Sequence, residues 1–424
     1  MLKPNITATP FKSNIDEDVD IKISGCQSRE KVTIKAFLFD DRHEPFISEA
    51  TFLADEQGKL DLGRNAPIEG TYTGVDQNGL FWSAVHQKKK HDDYYMKSNT
   101  NDVKISVQLL IENKLVDEVE IVRSFYQEDV RVTKVNEKGI VGTIFQPKKK
   151  GNFPNVILLA GSDGGSLASA ASLLASQGYC VFDLAYFNQE GVPKNLESIP
   201  LEYFEQAIQL LQTQTNNQDK VALIGYSRGA ELALLLASEF NQFSAVIAGA
   251  PGAYITSGLR NSIFAPIPSW TFKNQAKPYL KFQHRPTQMF GLMKNWFLRK
   301  PASFLGIWDD SLKKIDELEE MRIKVENIKA PVLLVSGDKD QIWPASMFAD
   351  IIKRKLPRVE HLQYEHGGHF IAFPYALPHL PANIYEHVGG GMVMDSGGTK
   401  KANACAAKDS WPVLLNFIRK HAHD

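Results

Sequence analysis

Residues 225–229 of the chain read Gly-Tyr-Ser-Arg-Gly, which is a Gly-x-Ser-x-Gly motif. An apolar stretch typical of a buried strand (221–224) ends directly before it, and an apolar helical stretch (230–240) follows. A nucleophile elbow requires this strand–turn–helix setting, with glycines where the tight turn brings backbone close together. The motif therefore predicts Ser227 as a nucleophile; the alternative is a glycine-rich turn that contains an incidental serine.

A serine hydroxyl needs a base within hydrogen-bonding reach, and a carboxylate must orient that base. With an elbow of this kind, the acid and then the histidine follow the serine along the chain. The buried stretch 332–335 is followed by Asp338 and Asp340, and later by His366 and His369. We predict Asp340 as the acid and His369 as the base. Asp338 (otherwise a turn cap) and His366 (otherwise a plain loop residue) are the alternates.

An acyl-transfer site also needs two backbone N–H groups to hold the oxyanion that develops during the reaction. The residue after the nucleophile, Arg228, supplies one of them. The second is expected from the glycine-rich loop after the first buried strand, near Ser162 and Asp163. The alternative is that this loop is only a tight turn that begins a helix. Machinery of this type requires neither a cofactor nor a metal ion.

The elements that must position these residues occupy the chain from residue 131 to 424. Continuous apolar stretches without alternation, separated by helical stretches, indicate a mostly parallel sheet covered on both faces. The fold class predicted here is α/β, a doubly wound α/β-hydrolase. The predicted strands are 156–159, 179–184, 221–224, 245–248 and 332–335, and the predicted helices are 167–176, 201–211, 230–240 and 411–421.

The first 130 residues have a different pattern. Short segments of β character alternate with turn sequences such as 55–58 and 76–79, which favours a separate antiparallel β-sandwich domain. Its predicted strands include 20–23, 32–38, 80–82 and 103–109.

A long insertion interrupts the C-terminal pattern between residues 256 and 324. It is rich in aromatic residues, proline and lysine, and it separates two strands predicted to be adjacent. We expect a lid over the strand ends; the alternative is a decoration without a role at the site.

Composition excludes several classes of function. The 424 residues carry a net charge of −1, which argues against a nucleic-acid partner. The 3 cysteines are widely spaced and form neither a disulfide framework nor a metal motif. We find no secretory signal and no apolar run of about 18 residues that would span a bilayer. These features predict a cytoplasmic protein; they leave its oligomeric state open.

Several further segments, together with the elbow, resemble the acyl-CoA thioesterase and bile acid-CoA:amino acid N-acyltransferase family. They are Gly-Leu-Phe-Trp-Ser at 79–83, Leu-Ala-Tyr-Phe-Asn at 184–188, Pro-Leu-Glu-Tyr-Phe-Glu at 200–205, Gly-Asp-Lys-Asp at 337–340, Gly-His-Phe at 368–370, Pro-Tyr at 374–375, Gly-Gly at 389–390 and Asp-Ser-Trp at 409–411. The resemblance implies an N-terminal immunoglobulin-like sandwich before the hydrolase domain. It also implies an acyl-CoA substrate and an acyl pocket shaped by the insertion.

In that family, the thioesterases carry serine in the elbow and the amino-acid-conjugating enzymes carry cysteine, so Ser227 favours hydrolysis of fatty acyl-CoA. Arg228 stands where relatives have lysine. The alternatives are a carboxylesterase or lactone hydrolase, an amino acid N-acyltransferase, and a binding protein without turnover. The basic run Lys88, Lys89 and Lys90 is a candidate contact for the CoA phosphates, although such runs are usually solvated loops.

Overall fold

The structure is a computed structural model of the chain. It describes residues 3–87, 94–126, 129–261, 263–282, 285–313, 318–388 and 391–422. Lys88, Lys89 and Lys90, and the glycines at 389–390, lie outside the described residues.

The N-terminal part consists of strands that face each other as two sheets. The strands are β1 (Asn5–Thr9), β2 (Lys12–Asn14), β3 (Asp20–Ser24), β4 (Lys31–Phe39), β5 (Pro45–Leu53), β6 (Leu60–Asp61), β7 (Glu69–Gly70), β8 (Val85–His86), β9 (Val103–Ile111) and β10 (Lys114–Ser124). One sheet has the order β1-β3-β6 and the other β2-β10-β9-β4-β5-β7, with β8 paired to β5. In β4, every second side chain is buried, as expected for a strand with one face on a core. The predicted sandwich is confirmed.

One element of this region was predicted wrongly. Residues 80–82 were expected to be a strand, but they lie in a short helix, α1 (Gly79–Trp82). All four of its residues are buried, and the Trp82 indole donates a hydrogen bond to Asp76 over 2.9 Å. Three adjacent large apolar side chains are buried on all sides here, and tertiary packing overrides their β propensity.

The C-terminal part is built on one large sheet with smaller hairpins around it. Its strands are β11 (Val130–Glu137), β12 (Ile140–Pro147), β13 (Asn155–Leu159), β14 (Cys180–Ala185), β15 (Ile199–Pro200), β16 (Val221–Tyr226), β17 (Phe243–Gly249), β18 (Leu259–Arg260), β19 (Ile263–Phe264), β20 (Trp270–Phe272), β21 (Gln275–Ala276), β22 (Val332–Gly337), β23 (Val359–Tyr364), β24 (Tyr385–His387) and β25 (Val393–Asp395).

The large sheet has 8 strands in the order β11-β12-β14-β13-β16-β17-β22-β23. β11 and β12 are antiparallel, and the strands from β14 onward in that order are parallel. Every residue of β13, β14, β16, β17 and β22 is buried, which explains their continuous apolar sequences. The predicted α/β-hydrolase class is confirmed.

Helices connect and cover these strands. They are α2 (Ala168–Ser176), α3 (Glu202–Thr215), α4 (Arg228–Glu239), α5 (Pro286–Phe297), α6 (Leu305–Ser311), α7 (Ala345–Lys355) and α8 (Lys400–His421). α8 begins earlier than predicted, at a cap in which the Thr399 side chain accepts from the Ala402 N–H. α4 starts at Arg228, so the elbow serine occupies the N-cap position.

The two parts of the chain share one continuous hydrophobic core. Polar bonds also cross between them: Asp16 accepts from the side chains of Gln177 and Trp411, and the Tyr95 N–H donates to Asn383. β10 ends at Ser124 and β11 begins at Val130. The domain boundary at residues 130 and 131 and the role of residues 256–324 as a lid stay predictions.

Candidate active site

The elbow is a tight turn at the carboxyl end of β16. Ser227 has a φ of 56° and a ψ of −117°, a strained combination for a residue with a side chain. A Cβ on Gly225 would lie 2.0 Å from the Gly229 carbonyl oxygen, and one on Gly229 would lie 2.2 Å from the Leu159 oxygen. A larger residue at Gly225 would push β16 away from α4, and one at Gly229 would push α4 away from β13, so the spacing of the glycines follows from close packing.

The carboxyl ends of neighbouring strands bring an acid and a base together. Asp340 follows β22, His369 follows β23, and His369 Nδ1 lies 2.7 Å from Asp340 Oδ2. Both side chains are almost fully buried, at 2% and 3% exposed. The other carboxylate oxygen, Oδ1, accepts from the backbone N–H groups of Ile342 (2.8 Å) and Trp343 (3.2 Å). These bonds fix the carboxylate, which is thereby aimed at the imidazole.

The backbone of His369 is anchored on both sides. Its N–H donates to the Ser396 carbonyl over 2.7 Å, and its carbonyl accepts from the Tyr226 hydroxyl. That hydroxyl also accepts from the Ile371 N–H at 3.1 Å. The rings of Tyr226 and Trp343 lie edge-on to the imidazole. Tyr226 thus joins the elbow directly to the loop that carries the histidine.

The two alternates occupy different surroundings. The Asp338 side chain is partly exposed and lies 3.5 Å from Lys339. The His366 side chain is 64% exposed and lies 3.6 Å from the Glu365 carboxylate. Neither of them lines the pocket that holds Ser227. The geometry therefore favours Asp340 and His369 over Asp338 and His366.

Ser227 and His369 line the same pocket, of about 90 Å³. Ser162 and Asp163 also line it, so the structure brings the predicted oxyanion loop to the nucleophile. The remaining lining residues are Tyr94, Gly161, Tyr226, Ile342, Phe370, Tyr375, Glu386 and Met394. None of these described lining residues falls within 256–324.

Three lining residues were not identified from the sequence: Tyr94, Glu386 and Met394. Tyr94 lies far along the chain from the catalytic motifs, Glu386 and Met394 face each other in the β24–β25 hairpin, and no local pattern marks any of the three. Tyr375 had a signal, because it belongs to the Pro-Tyr pair in the family resemblance, although no role was assigned to it.

The loop after β13 is held by Tyr375. The Gly161 N–H donates to the Tyr375 hydroxyl over 2.7 Å, and that hydroxyl donates to Asp163. The Asp163 carboxyl is exposed to the pocket but closely surrounded by protein, and this desolvation raises its pKa.

Glu386 is a second carboxyl at this pocket. Desolvation, and then the neighbouring Asp163 charge, raise its pKa to about 7. Two carboxyl groups that face one small pocket disfavour each other's ionised forms, so the pocket retains protons at a pH where free carboxylates have lost them.

Behind the elbow, Arg228 forms a buried ion pair with Glu231, at 2.6 Å and with both side chains 0% exposed. The guanidinium also donates to the Ser269 hydroxyl over 2.7 Å, and Glu231 accepts from the Thr256 hydroxyl over 2.7 Å. Thr256 and Ser269 lie in the insertion. The arginine at this position therefore ties the first helix after the nucleophile to the start of the insertion.

A larger cavity, of about 320 Å³, adjoins the pocket at the junction of the two parts of the chain. The two spaces share Tyr94, Asp163, Phe370, Tyr375 and Glu386. A substrate bound at Ser227 could thus extend between the sandwich and the hydrolase part.

No helix in the described ranges is long and apolar enough to cross a membrane. The cytoplasmic location expected from the sequence stays a prediction.

Comparison with solved structures and curated sequences finds similar proteins. An esterase structure from Pyrococcus furiosus has a TM-score of 0.38 and 14% identity, and covers 69% of this chain and 91% of its own. Human acyl-coenzyme A thioesterase 1 is 28% identical over 96% of this chain and 94% of its own length. Mouse peroxisomal succinyl-coenzyme A thioesterase matches with the same identity and coverage.

Two family models match the chain. Residues 16–137 match the acyl-CoA thioester hydrolase/BAAT N-terminal region, and residues 199–424 match the BAAT/acyl-CoA thioester hydrolase C terminal. The second match covers more than half of the chain, and the first lies over the sandwich. The chain therefore belongs to the BAAT/acyl-CoA thioester hydrolase family.

Proposed function

We propose that this protein is an acyl-CoA thioesterase that works through Ser227, His369 and Asp340. The observation that carries the proposal is the buried 2.7 Å contact between His369 and Asp340, next to a strained serine in the same small pocket. Family membership supports the thioester as the bond that is cleaved. Fatty acyl-CoA is the proposed substrate class.

In the first half of the reaction, Ser227 Oγ attacks the thioester carbonyl carbon while His369 accepts the hydroxyl proton. Asp340 accepts from Nδ1–H and stabilises the imidazolium that forms. The tetrahedral intermediate then collapses, the carbon–sulfur bond breaks, and CoA leaves as a thiol after it takes the proton from His369. An acyl ester of Ser227 remains.

In the second half, His369 accepts a proton from water, and the resulting hydroxide attacks the ester carbonyl. Collapse of this second intermediate returns the proton from His369 to Ser227 Oγ and releases the fatty acid. The same base serves both halves, which requires a fixed imidazole. The bonds from Asp340, Ser396 and Tyr226 fix it.

The proposed oxyanion donors are backbone N–H groups of Arg228 and of Ser162 or Asp163. Arg228 is the first residue of α4, where N–H groups have no partner within the helix. Ser162 and Asp163 lie on the wall of the pocket, whereas the Gly161 N–H is already bonded to Tyr375. We propose that the acyl or CoA arm of the substrate extends into the adjoining 320 Å³ cavity.

The test is thiol release from a panel of acyl-CoA chain lengths, compared with p-nitrophenyl esters of the same acids. A larger kcat/KM for at least one acyl-CoA than for its matched ester supports the proposal. A larger value for every oxygen ester would identify a carboxylesterase instead. If added glycine diverted most of the product to N-acyl glycine, the enzyme would be an acyltransferase.

A further inference from the structure

Helix α5 in the insertion turns its apolar side chains outward. Its large apolar residues recur at helical spacing and form one continuous stripe, yet no residue of the helix is buried. The exposed fractions are 43% for Met289, 70% for Phe290, 60% for Met293, 47% for Trp296 and 81% for Phe297. A helix that belongs to a protein core places such a stripe inward.

The inward side of α5 is polar at two of its positions. Gln288 and Asn295 are half-buried, and they bond to Asp310 (2.6 Å) and to the Pro301 carbonyl (3.2 Å). The helix is therefore held to the protein partly by polar contacts, while each large apolar side chain of the stripe is at least 43% exposed. Contiguous exposed apolar patches of this kind mark interaction surfaces.

The charges around the stripe have one sign. Residues 285–300 contain Arg285, Lys294, Arg299 and Lys300 and no acidic residue, although the whole chain has a net charge of −1. Arg285 pairs with Asp310. Lys294 is exposed in the last turn of α5, and Arg299 and Lys300 are exposed just beyond its end. A second copy of the chain placed on this face by two-fold symmetry would bring these like charges together. A negatively charged surface would complement them.

We propose that α5 docks on an anionic lipid surface, with its apolar stripe in the headgroup–acyl boundary and its basic residues on lipid phosphates. Amphipathic helices that lie in the plane of a membrane combine aromatic and aliphatic residues with lysine and arginine in this way.

This docking would bring the lipid close to the active-site pocket. Ala302, five residues beyond the end of α5, pairs with Met394 of β25, and Met394 lines the pocket of Ser227. The proposal concerns binding to lipid and does not depend on which ester the enzyme cleaves.

The test is flotation of the full-length protein with vesicles of equal parts phosphatidylcholine and phosphatidylglycerol, and with phosphatidylcholine alone. The wild type should float with the anionic vesicles. Replacing Phe290 and Phe297 together by serine should weaken this binding at least about tenfold, since each substitution removes an aromatic ring that the lipid would bury. The matched control replaces Phe11 and Phe39, which are 66% and 57% exposed on the sandwich, and should bind as the wild type does.

Charge reversal tests the second half of the proposal. A triple variant that carries Lys294→Glu, Arg299→Glu and Lys300→Glu should bind anionic vesicles about tenfold or more weakly than the wild type. Added salt should weaken the binding of the wild type. Circular dichroism and hydrolysis of a short-chain, water-soluble acyl-CoA should be unchanged in these variants, because none of the substituted residues lines the pocket.

Three results would overturn the proposal. The wild type could fail to bind anionic vesicles, or the α5 substitutions could leave its binding intact. Sedimentation without lipid could also show that the wild type is a dimer and that the Phe290→Ser, Phe297→Ser variant is a monomer. A second copy of the chain would then cover this face.

Discussion

The carboxyl edge of the hydrolase sheet and helix α5 use the same types of side chain in opposite ways. At the sheet edge, Tyr226 and Trp343 are 0% and 2% exposed, and their polar atoms bond to the backbone around His369 and Ala250. On α5, Phe290 and Phe297 are mostly exposed, and the side chains that point inward include Gln288 and Asn295.

The difference shows what apolar burial accomplishes at the site. Buried aromatic rings exclude water and hold a few polar atoms at fixed distances, which a general base requires. Exposed rings contribute little to the stability of the fold and are available to an external partner.

Removal of the nucleophile should have the largest effect. Ser227→Ala should lower kcat by about 10⁴-fold or more, with an unchanged circular dichroism spectrum, because the chemistry loses its attacking atom. Labelling with a fluorophosphonate probe should disappear in the same variant. Residual labelling would show that another serine is the nucleophile.

The two aspartates after β22 form a matched pair. Asp340→Asn should lower kcat about 10³- to 10⁴-fold, since an amide can neither fix the imidazole tautomer nor stabilise its charged form. Asp338→Asn removes only a partly exposed ion pair with Lys339, and it should change kcat less than about fivefold. The reverse order of effects would reassign the acid to Asp338.

Replacing one aromatic residue by alanine at the sheet edge and one on α5 should separate the contributions of the two regions to stability. Trp343→Ala should lower the free energy of unfolding by about 3–5 kcal/mol, because it leaves a cavity beside His369 and an unpaired Ala250 carbonyl. Phe297→Ala should change it by less than about 0.5 kcal/mol. Denaturant titration of both variants measures the difference. A large loss for Phe297→Ala would mean that α5 is part of the core.

The smallest predicted effect depends on pH. Burial raises the pKa of Glu386 to about 7 from 4.5, so the folded state binds a proton that the unfolded state has lost between those values. The free energy of unfolding therefore falls as the pH rises from about 4.5 to 7.

Glu386→Gln is uncharged at every pH and should raise the free energy of unfolding at pH 8 by up to about 3 kcal/mol relative to wild type. At pH 4.5 the variant and the wild type should be nearly equal. Denaturant titration at both pH values gives the comparison, and an equal difference at the two would refute the titration of Glu386.

Elements whose signals are local could be predicted from the sequence. The elbow could be recognised because a buried strand, two glycines and an apolar helix must be contiguous for the turn to form. The central strands could be recognised because burial on both faces requires continuous apolar sequence. β11, β12 and β23 were not predicted as strands, because they lie toward the edges of the sheet and are not buried along their whole length, so their sequences are not continuously apolar.

Which side chains meet depends on the tertiary structure. Whether Asp338 or Asp340 faces His369 depends on the path of a loop, and two residues of the same type carry the same sequence signal. Tyr94 reaches the pocket of Ser227 from one distant part of the chain, and the paired residues Glu386 and Met394 reach it from another, the β24–β25 hairpin. The spacing of apolar residues on α5 predicts a stripe, but not which way it faces. Contacts between distant segments fix all of these, because they depend on how the elements pack, which no local pattern encodes.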